Sequence, residues 1–118
     1  MSQEARRAIS RAAARGSLYI SAISAWEIAT LIRLRRLRIS KTIKDYVNDL
    51  FSLPGVREAP ITAEIARTAG EFPENLHGDP IDRLIIATAS VLSVPLVTHD
   101  RQIIKFGKTH GGFSWIEA

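Results

Sequence analysis

The sequence contains no cysteine. That excludes a disulfide scaffold, a thiolate nucleophile and a cysteine-built zinc site, and it makes the reducing cytoplasm the expected setting. It also lacks any apolar run near the roughly 18 residues of a membrane span, so no membrane association is expected. The stretch from Met1 to Gly16 carries arginines but no apolar centre, and is not expected to act as a secretory signal. No repeat, low-complexity tract or interdomain linker breaks the chain. What is present is 118 residues, 46% of them hydrophobic, which is the size of one domain and too apolar for disorder. Sixteen Lys and Arg against twelve Asp and Glu give a net charge of +4. That balance allows an anionic partner such as nucleic acid.

Periodicity divides the chain into alternating elements. Ser2 to Arg15 reads as a helix with Ala5, Ile9, Ala12 and Ala13 at helical spacing, closed by Gly16. Leu18 to Ala22 is a short strand of β-formers. Helices are expected from Ala25 to about Leu37 and from Lys41 to Leu53, the second ended by Pro54-Gly55. A short strand follows at Val56 to Pro60, then a helix at Thr62 to Gly70 with Thr62 as its cap. Phe72 to Gly78 reads as a loop, Pro80 to Leu92 as a strongly apolar helix, and Pro95 to Thr98 as a strand. Arg101 to Phe106 is expected as a short helix and Phe113 to Ile116 as a last strand. Such alternation predicts an α/β fold, a parallel sheet covered by helices on both faces. Sites in such folds lie at the carboxyl ends of strands, where the next helices begin.

Most of the acidic residues fall on polar helix faces or in turns. Glu27, Asp79, Asp82 and Asp100 do not. Ser24-Ala-Trp-Glu27 forms a capping box on one reading. On the other, Glu27 heads a stripe with Leu31 and Leu34, faces inward and needs a partner. Asp79-Pro80-Ile-Asp82 makes a good helix start, with Asp79 as the cap. Yet Asp82 shares a face with Ile85, Ile86 and Ala89 on a helix expected to be buried. A buried carboxylate must be protonated, paired with an arginine (Arg83 and Arg101 are the candidates) or bound to a cation. Asp100 follows a strand and caps the helix from Arg101, unless Thr98 does so instead. Taken together, Glu27, Asp82 and Asp100 occupy positions that converge in a doubly wound sheet. Hard oxygen ligands of this kind suit Mg²⁺ or Mn²⁺. An ion held there activates water and stabilises a phosphoryl transition state, which fits phosphodiester hydrolysis.

Three segments carry a family resemblance: Ser21-Ala-Ile-Ser-Ala-Trp-Glu-Ile-Ala29, Gly78-Asp-Pro-Ile-Asp-Arg-Leu-Ile-Ile-Ala87 and Leu96-Val-Thr-His-Asp100. In order and spacing they resemble the PIN domain, specifically the VapC toxins of type II toxin–antitoxin modules, over nearly the whole chain. The resemblance implies a three-layer α/β/α fold with a central parallel sheet, and a metal-dependent endoribonuclease using Mg²⁺ or Mn²⁺. It further implies an RNA substrate, a cognate antitoxin and a homodimer. Glu27, Asp82 and Asp100 match the family's catalytic and metal-binding acids, Asp79 an accessory acid, and Thr98 the hydroxyl residue before the last acid. The family opens with a central strand ending in a first catalytic aspartate. Here no Asp precedes Asp45, and Met1 to Arg6 reads as the helix after that strand. The expectation is therefore a single PIN-like domain over residues 1–118, N-terminally truncated, with less metal affinity and stability than a longer form.

The remaining features are weighed against plainer roles. Arg33, Arg35, Arg36 and Arg38 complement a helix dipole by default, and as a basic patch beside Leu31, Leu34 and Leu37 they are candidates for RNA or antitoxin contact. His77, His99 and His110 read as loop residues, with His99 the one nearest the expected ion. Trp26 and Trp115 read as core residues. Two other functions stand beside the ribonuclease. One is a catalytically inactive PIN remnant that binds an antitoxin or second subunit. The other is a receiver-like signalling domain, which would need an early acid pair and a mid-sheet phosphorylatable aspartate that the sequence does not have.

Overall fold

The computed structural model describes residues 1–74, 76 and 79–118. In chain order the elements are α1 (Gln3–Ala14), β1 (Leu18–Ser21), α2 (Ile23–Arg33), α3 (Ile43–Phe51), β2 (Val56–Ala59), α4 (Ala63–Glu71), α5 (Pro80–Leu92), β3 (Leu96–Thr98), α6 (Arg101–His110) and β4 (Trp115–Glu117). The alternation matches the expected α/β class. Among the described residues the strand pairing is parallel, but it forms two two-stranded sheets, β1 with β2 and β3 with β4, where one sheet was expected. The chain divides into two compact units, Ile9–Pro60 and the combination of Met1–Ala8 with Ile61–Ala118.

In the Ile9–Pro60 unit, β1 and β2 pair in register from Leu18↔Val56 to Ser21↔Ala59. The pairing is extended at both ends by Leu18 N–H to Gly55 O (3.1 Å) and Ala22 N–H to Ala59 O (2.9 Å). Gly16, in the left-handed region at φ 67°, closes α1, and Ser17 N–H returns to Ala12 O at 2.8 Å. Gly55 (φ 83°) lies so close to the end of α1 that a Cβ would stand 2.1 Å from the Ala13 carbonyl oxygen. Only glycine fits there, which is why the Pro54-Gly55 turn can pass beneath that helix. Thr42 caps α3 through the Asp45 amide at 3.1 Å.

The other unit is built on apolar packing. Ile65 and Ala69 of α4 meet Ala87 of α5, with Ile61, Phe72, Leu84 and Val91 packed around them. Leu76, Ile86, Ile103 and Phe106 form a second cluster that also takes in Phe72, Leu96 and Phe113. Phe72 belongs to both, and its ring meets Phe106 edge-on at 5.7 Å. The expectation of a buried α5 holds: Ile86, Ala87, Thr88 and Ala89 are all buried, and the Thr88 hydroxyl is satisfied by the Leu84 carbonyl at 2.7 Å. Ser2 accepts from the Ala5 amide and donates to the Glu117 carbonyl, which ties the start of α1 to the end of β4.

Three expectations are corrected. Trp26 is not a core residue; it is 56% exposed. Leu31 and Leu34 do not face inward, being 40% and 49% exposed, and α2 buries no residue fully. Helix α6 does not stop at Phe106 but runs to His110, because Gly107 lies inside it, pressed against the Trp115 ring, where a Cβ would come within 2.7 Å.

Candidate active site

The start of α5 is assembled from its own sequence. Asp79 is the N-cap, its Oδ1 accepting from the Ile81 amide at 2.9 Å, and Pro80 follows where its missing N–H costs nothing. Asp82 lies half-buried in the first turn, where the positive end of the helix dipole favours a carboxylate. The two arginines that the sequence offers as its partners make the following bonds. Arg101 pairs with Glu117 at 2.7 Å. Arg83 spreads its guanidinium over main-chain carbonyls: Nη1 donates to Ala69 O (3.2 Å) and Phe72 O (2.9 Å), and Nη2 to Pro73 O (3.1 Å).

Asp100, two residues after the end of β3, caps α6 as expected. Its Oδ1 accepts from the Gln102 and Ile103 amides at 2.9 and 3.4 Å. Thr98 does not compete for that cap. Its hydroxyl oxygen accepts from the Asp100 amide at 3.1 Å and so fixes the backbone that carries the acid. In both Asp79 and Asp100 the cap bonds use Oδ1, leaving Oδ2 for another partner.

In the Ile9–Pro60 unit, Glu27 is in the second turn of α2, half-buried. The capping-box reading is overturned. The N-cap is Ala22, which has no side chain able to cap, and Ser24 is already inside the helix. The reason is Ser21, whose hydroxyl takes the Ile23 amide at 3.2 Å and starts the helix earlier. Neither Glu27 nor Asp82 is without a partner. Arg33 ends α2, Arg35 adopts a left-handed φ of 60°, and Arg33, Arg35, Arg36 and Arg38 are all exposed. Arg35, Arg38 and Lys41 line an open cavity of about 520 Å³ together with Leu37 and Ile43. Lys41 also pairs with Asp49, whose hydrogen bond and negative charge raise the ammonium pKa above 10.5.

His110 is not a loop residue. It ends α6 and stacks on Phe106 at 4.7 Å, with Nδ1 3.1 Å from Gly111 O. His99 is exposed beside Asp100. His77 and Gly78 lie outside the described residues. Among the described residues, no three His, Asp or Glu side chains are gathered as a ready-made metal-holding group. Fit to a hard divalent cation rests instead on donor chemistry, carboxylate oxygens throughout, and on the Oδ2 of Asp100 being left over from its cap. Sequence reasoning offered Arg83 as a candidate partner for Asp82 and did not foresee its bonds to the carbonyls at and beyond the end of α4. A signal existed: α4 carries no basic residue in its last turn, so its end carbonyls needed a donor from elsewhere.

Comparison with known proteins covers most of the chain. Residues 2–109 match the PIN domain family. Ribonuclease VapC22 of Mycobacterium tuberculosis is 36% identical over 103 residues, spanning 87% of this chain and 75% of that protein. No solved structure gives a significant match. Among the described residues, no helix is long and apolar enough to cross a membrane.

Proposed function

The chain belongs to the PIN domain family, and we propose that it is a VapC-type ribonuclease toxin, hydrolysing RNA phosphodiester bonds and restrained by a cognate antitoxin. The observation that carries this reading is the placement of Asp82 in the first turn of α5 and of Asp100 at the N-cap of α6, each within its own family-like motif. Glu27, Asp82 and Asp100 are assigned as the carboxylates that hold Mg²⁺ or Mn²⁺. When bound, a divalent cation supplies positive charge at the scissile phosphate and lowers the pKa of a water. The residues around these acids do the positioning. Asp79 holds the first turn of α5 and adds negative charge beside Asp82. Thr98 fixes the Asp100 amide, and the cap bonds orient the Asp100 carboxylate.

The basic segment Arg33, Arg35, Arg36 and Arg38 is assigned to the RNA backbone, since exposed guanidinium groups bind phosphates through charge and paired N–H donors. The same unit leaves Trp26, Leu31, Leu34, Ile43 and Leu53 exposed. Apolar surface beside cations suits a protein partner, which supports an antitoxin and a homodimer as the binders of this unit. A cytoplasmic location is part of the same proposal, as the compartment in which an RNA substrate is met.

The test is RNA cleavage by the purified chain with Mg²⁺ or Mn²⁺, with and without a chelator. Asp82→Asn is expected to lower the rate by about 100-fold or more, since removing a ligand costs at least as much as removing a group that merely orients one. The thermal melt of that variant is expected to match the parent. Full activity in Asp82→Asn, or cleavage unaffected by the chelator, would overturn the proposal.

A further inference from the structure

Among the described residues, Arg83 is the one half-buried arginine, its guanidinium donates to backbone carbonyls, and it stands next to Asp82 in the sequence. We propose that Arg83 is the positioning residue of the acid-bearing turn: by tying the start of α5 to the end of α4, it fixes where Asp79 and Asp82 present their carboxylates. The inference rests on the metal-dependent ribonuclease reading above and names a residue for it.

The argument begins at the end of α4. The last carbonyls of a helix have no partner within it, and they lie at the negative end of its dipole. Here the C-cap residue Phe72 is extended, and the final turn has no basic side chain of its own. Arg83 adds donors from α5: it joins the Phe72 amide on Ala69 O and reaches the carbonyls of Phe72 and Pro73. One residue on from Asp82, it is turned about 100° around the helix from that acid, so holding Arg83 sets the rotation of the turn that displays Asp82. The bonds reach Ala69, Phe72 and Pro73, so they grip both the helix end and the first residues of the segment leading back to Asp79. At that end, Asp79 holds Ile81 through its side chain and Arg83 through its carbonyl, the latter at 3.3 Å. The turn is therefore fixed at Arg83 from two sides, by its guanidinium and by its amide. A planar fork meets several convergent carbonyls at once, where a lysine ammonium would act as a single point charge.

The experiment compares the parent chain with Arg83→Ala, Arg83→Lys and the control Arg67→Ala. The control removes only an exposed i,i+4 pair with Glu71 on α4. Three readouts are taken: amide exchange at Ile81, Asp82 and Arg83 in metal-free protein, Mn²⁺ affinity by electron paramagnetic resonance, and kcat and KM on RNA. Arg83→Ala is expected to exchange faster at those amides and to bind Mn²⁺ about tenfold more weakly, the usual loss when a group orienting a ligand is removed. Its kcat falls at limiting Mn²⁺ and recovers at saturating Mn²⁺, while KM for RNA stays unchanged. Arg83→Lys falls between, and Arg67→Ala follows the parent. Parental Mn²⁺ affinity in Arg83→Ala, even with a lowered melting temperature, overturns the proposal and leaves Arg83 a structural cap. If the alanine variant does not fold, Arg83→Lys decides: parental Mn²⁺ affinity in the folded lysine variant overturns it equally. A parent that binds no Mn²⁺ also overturns it. A parent that binds Mn²⁺ but cleaves no RNA defeats the ribonuclease reading, while the Mn²⁺ comparison still decides the role of Arg83.

Discussion

The two compact units of this chain are held by different forces. In the unit made of Met1–Ala8 and Ile61–Ala118, α4, α5 and α6 enclose two apolar clusters sharing Phe72. In Ile9–Pro60, Ala59 is the one fully buried apolar residue among those described, while Trp26, Leu31, Leu34, Ile43 and Leu53 are exposed. That unit relies on a parallel strand pair, a tight glycine contact and a helix cap. Removing apolar surface from water is the main source of folding stability. The first unit is therefore the stable scaffold, and it carries Asp79, Asp82 and Asp100. The second has its apolar side chains available to a partner, and it carries the exposed arginines.

The sharpest way to break this contrast is to truncate one leucine-sized side chain in each unit. Ile86 is 0% exposed, and Ile86→Ala is expected to cost about 2–5 kcal/mol, the transfer loss plus the cavity left behind. Leu34 is 49% exposed, and Leu34→Ala is expected to change stability by less than about 0.5 kcal/mol. Urea unfolding of both variants checks the pair. A loss from Leu34→Ala as large as that from Ile86→Ala would show that the second unit hides a core of its own in solution.

A smaller effect tests whether backbone packing holds the second unit. Gly55→Ala forces a side chain against the Ala13 carbonyl and onto a left-handed backbone. The expected loss is about 1–3 kcal/mol, as for an overpacked contact. Amide exchange is expected to rise first along β1 and β2. Exchange that rises instead in α5 would mean the two units unfold as one.

How much of this was legible in sequence depended on whether the deciding group was local. Thr62, Asp79-Pro80 and Asp100 act on amides two or three residues away, so their caps were readable, and α5 was placed from Pro80 to Leu92 as observed. The start of α2 was misplaced because Ser24 and Glu27 make a plausible box, while Ser21 reaches the Ile23 amide first. The end of α6 was misplaced because Gly107 looks like a stop. Its actual role is to admit the Trp115 ring, a tertiary fact. The direction of Leu31 and Leu34 was misjudged for the same reason: periodicity identifies a face but not what covers it. At the candidate site the family motifs supply the proposed acids, Glu27, Asp82 and Asp100. The use of Arg83 was not legible, because its acceptors lie ten to fourteen residues earlier, at the end of α4 and just beyond it.

The caps sharpen the comparison further, because the same device occurs in both units. Thr62 accepts from Ile65 at 3.2 Å, and Thr42 from Asp45 at 3.1 Å. Each threonine-to-alanine change is expected to cost about 1 kcal/mol locally. In Thr62→Ala the loss is partly absorbed by Ile65, which remains anchored in its cluster. In Thr42→Ala nothing fully buried holds α3, so that helix frays. Helix-resolved amide exchange is expected to show the larger change in α3. Equal fraying in both helices would remove the difference in anchoring.

The smallest expected effect concerns the ion pair between Lys41 and Asp49, on the open surface of the second unit. The hydrogen bond from Lys41 to Asp49, and then the charge of that carboxylate, raise the ammonium pKa above 10.5. A group whose pKa is higher folded than unfolded adds stability that is complete below the unfolded value and is lost as pH rises through the folded one. The contribution is therefore constant through neutral pH and disappears only above pH 10.5. Both partners are well exposed, so water and salt screen the pair, and melts near neutrality are expected to show no measurable change in Asp49→Asn. The titration itself is the sensitive readout. Followed by NMR at the Lys41 side chain, the midpoint is expected to fall back toward 10.5 in Asp49→Asn, and to do so in the parent when salt is added. A midpoint identical in parent and variant would mean that the pair does not form in solution, leaving Lys41 free to join Arg35 and Arg38 around the cavity they line.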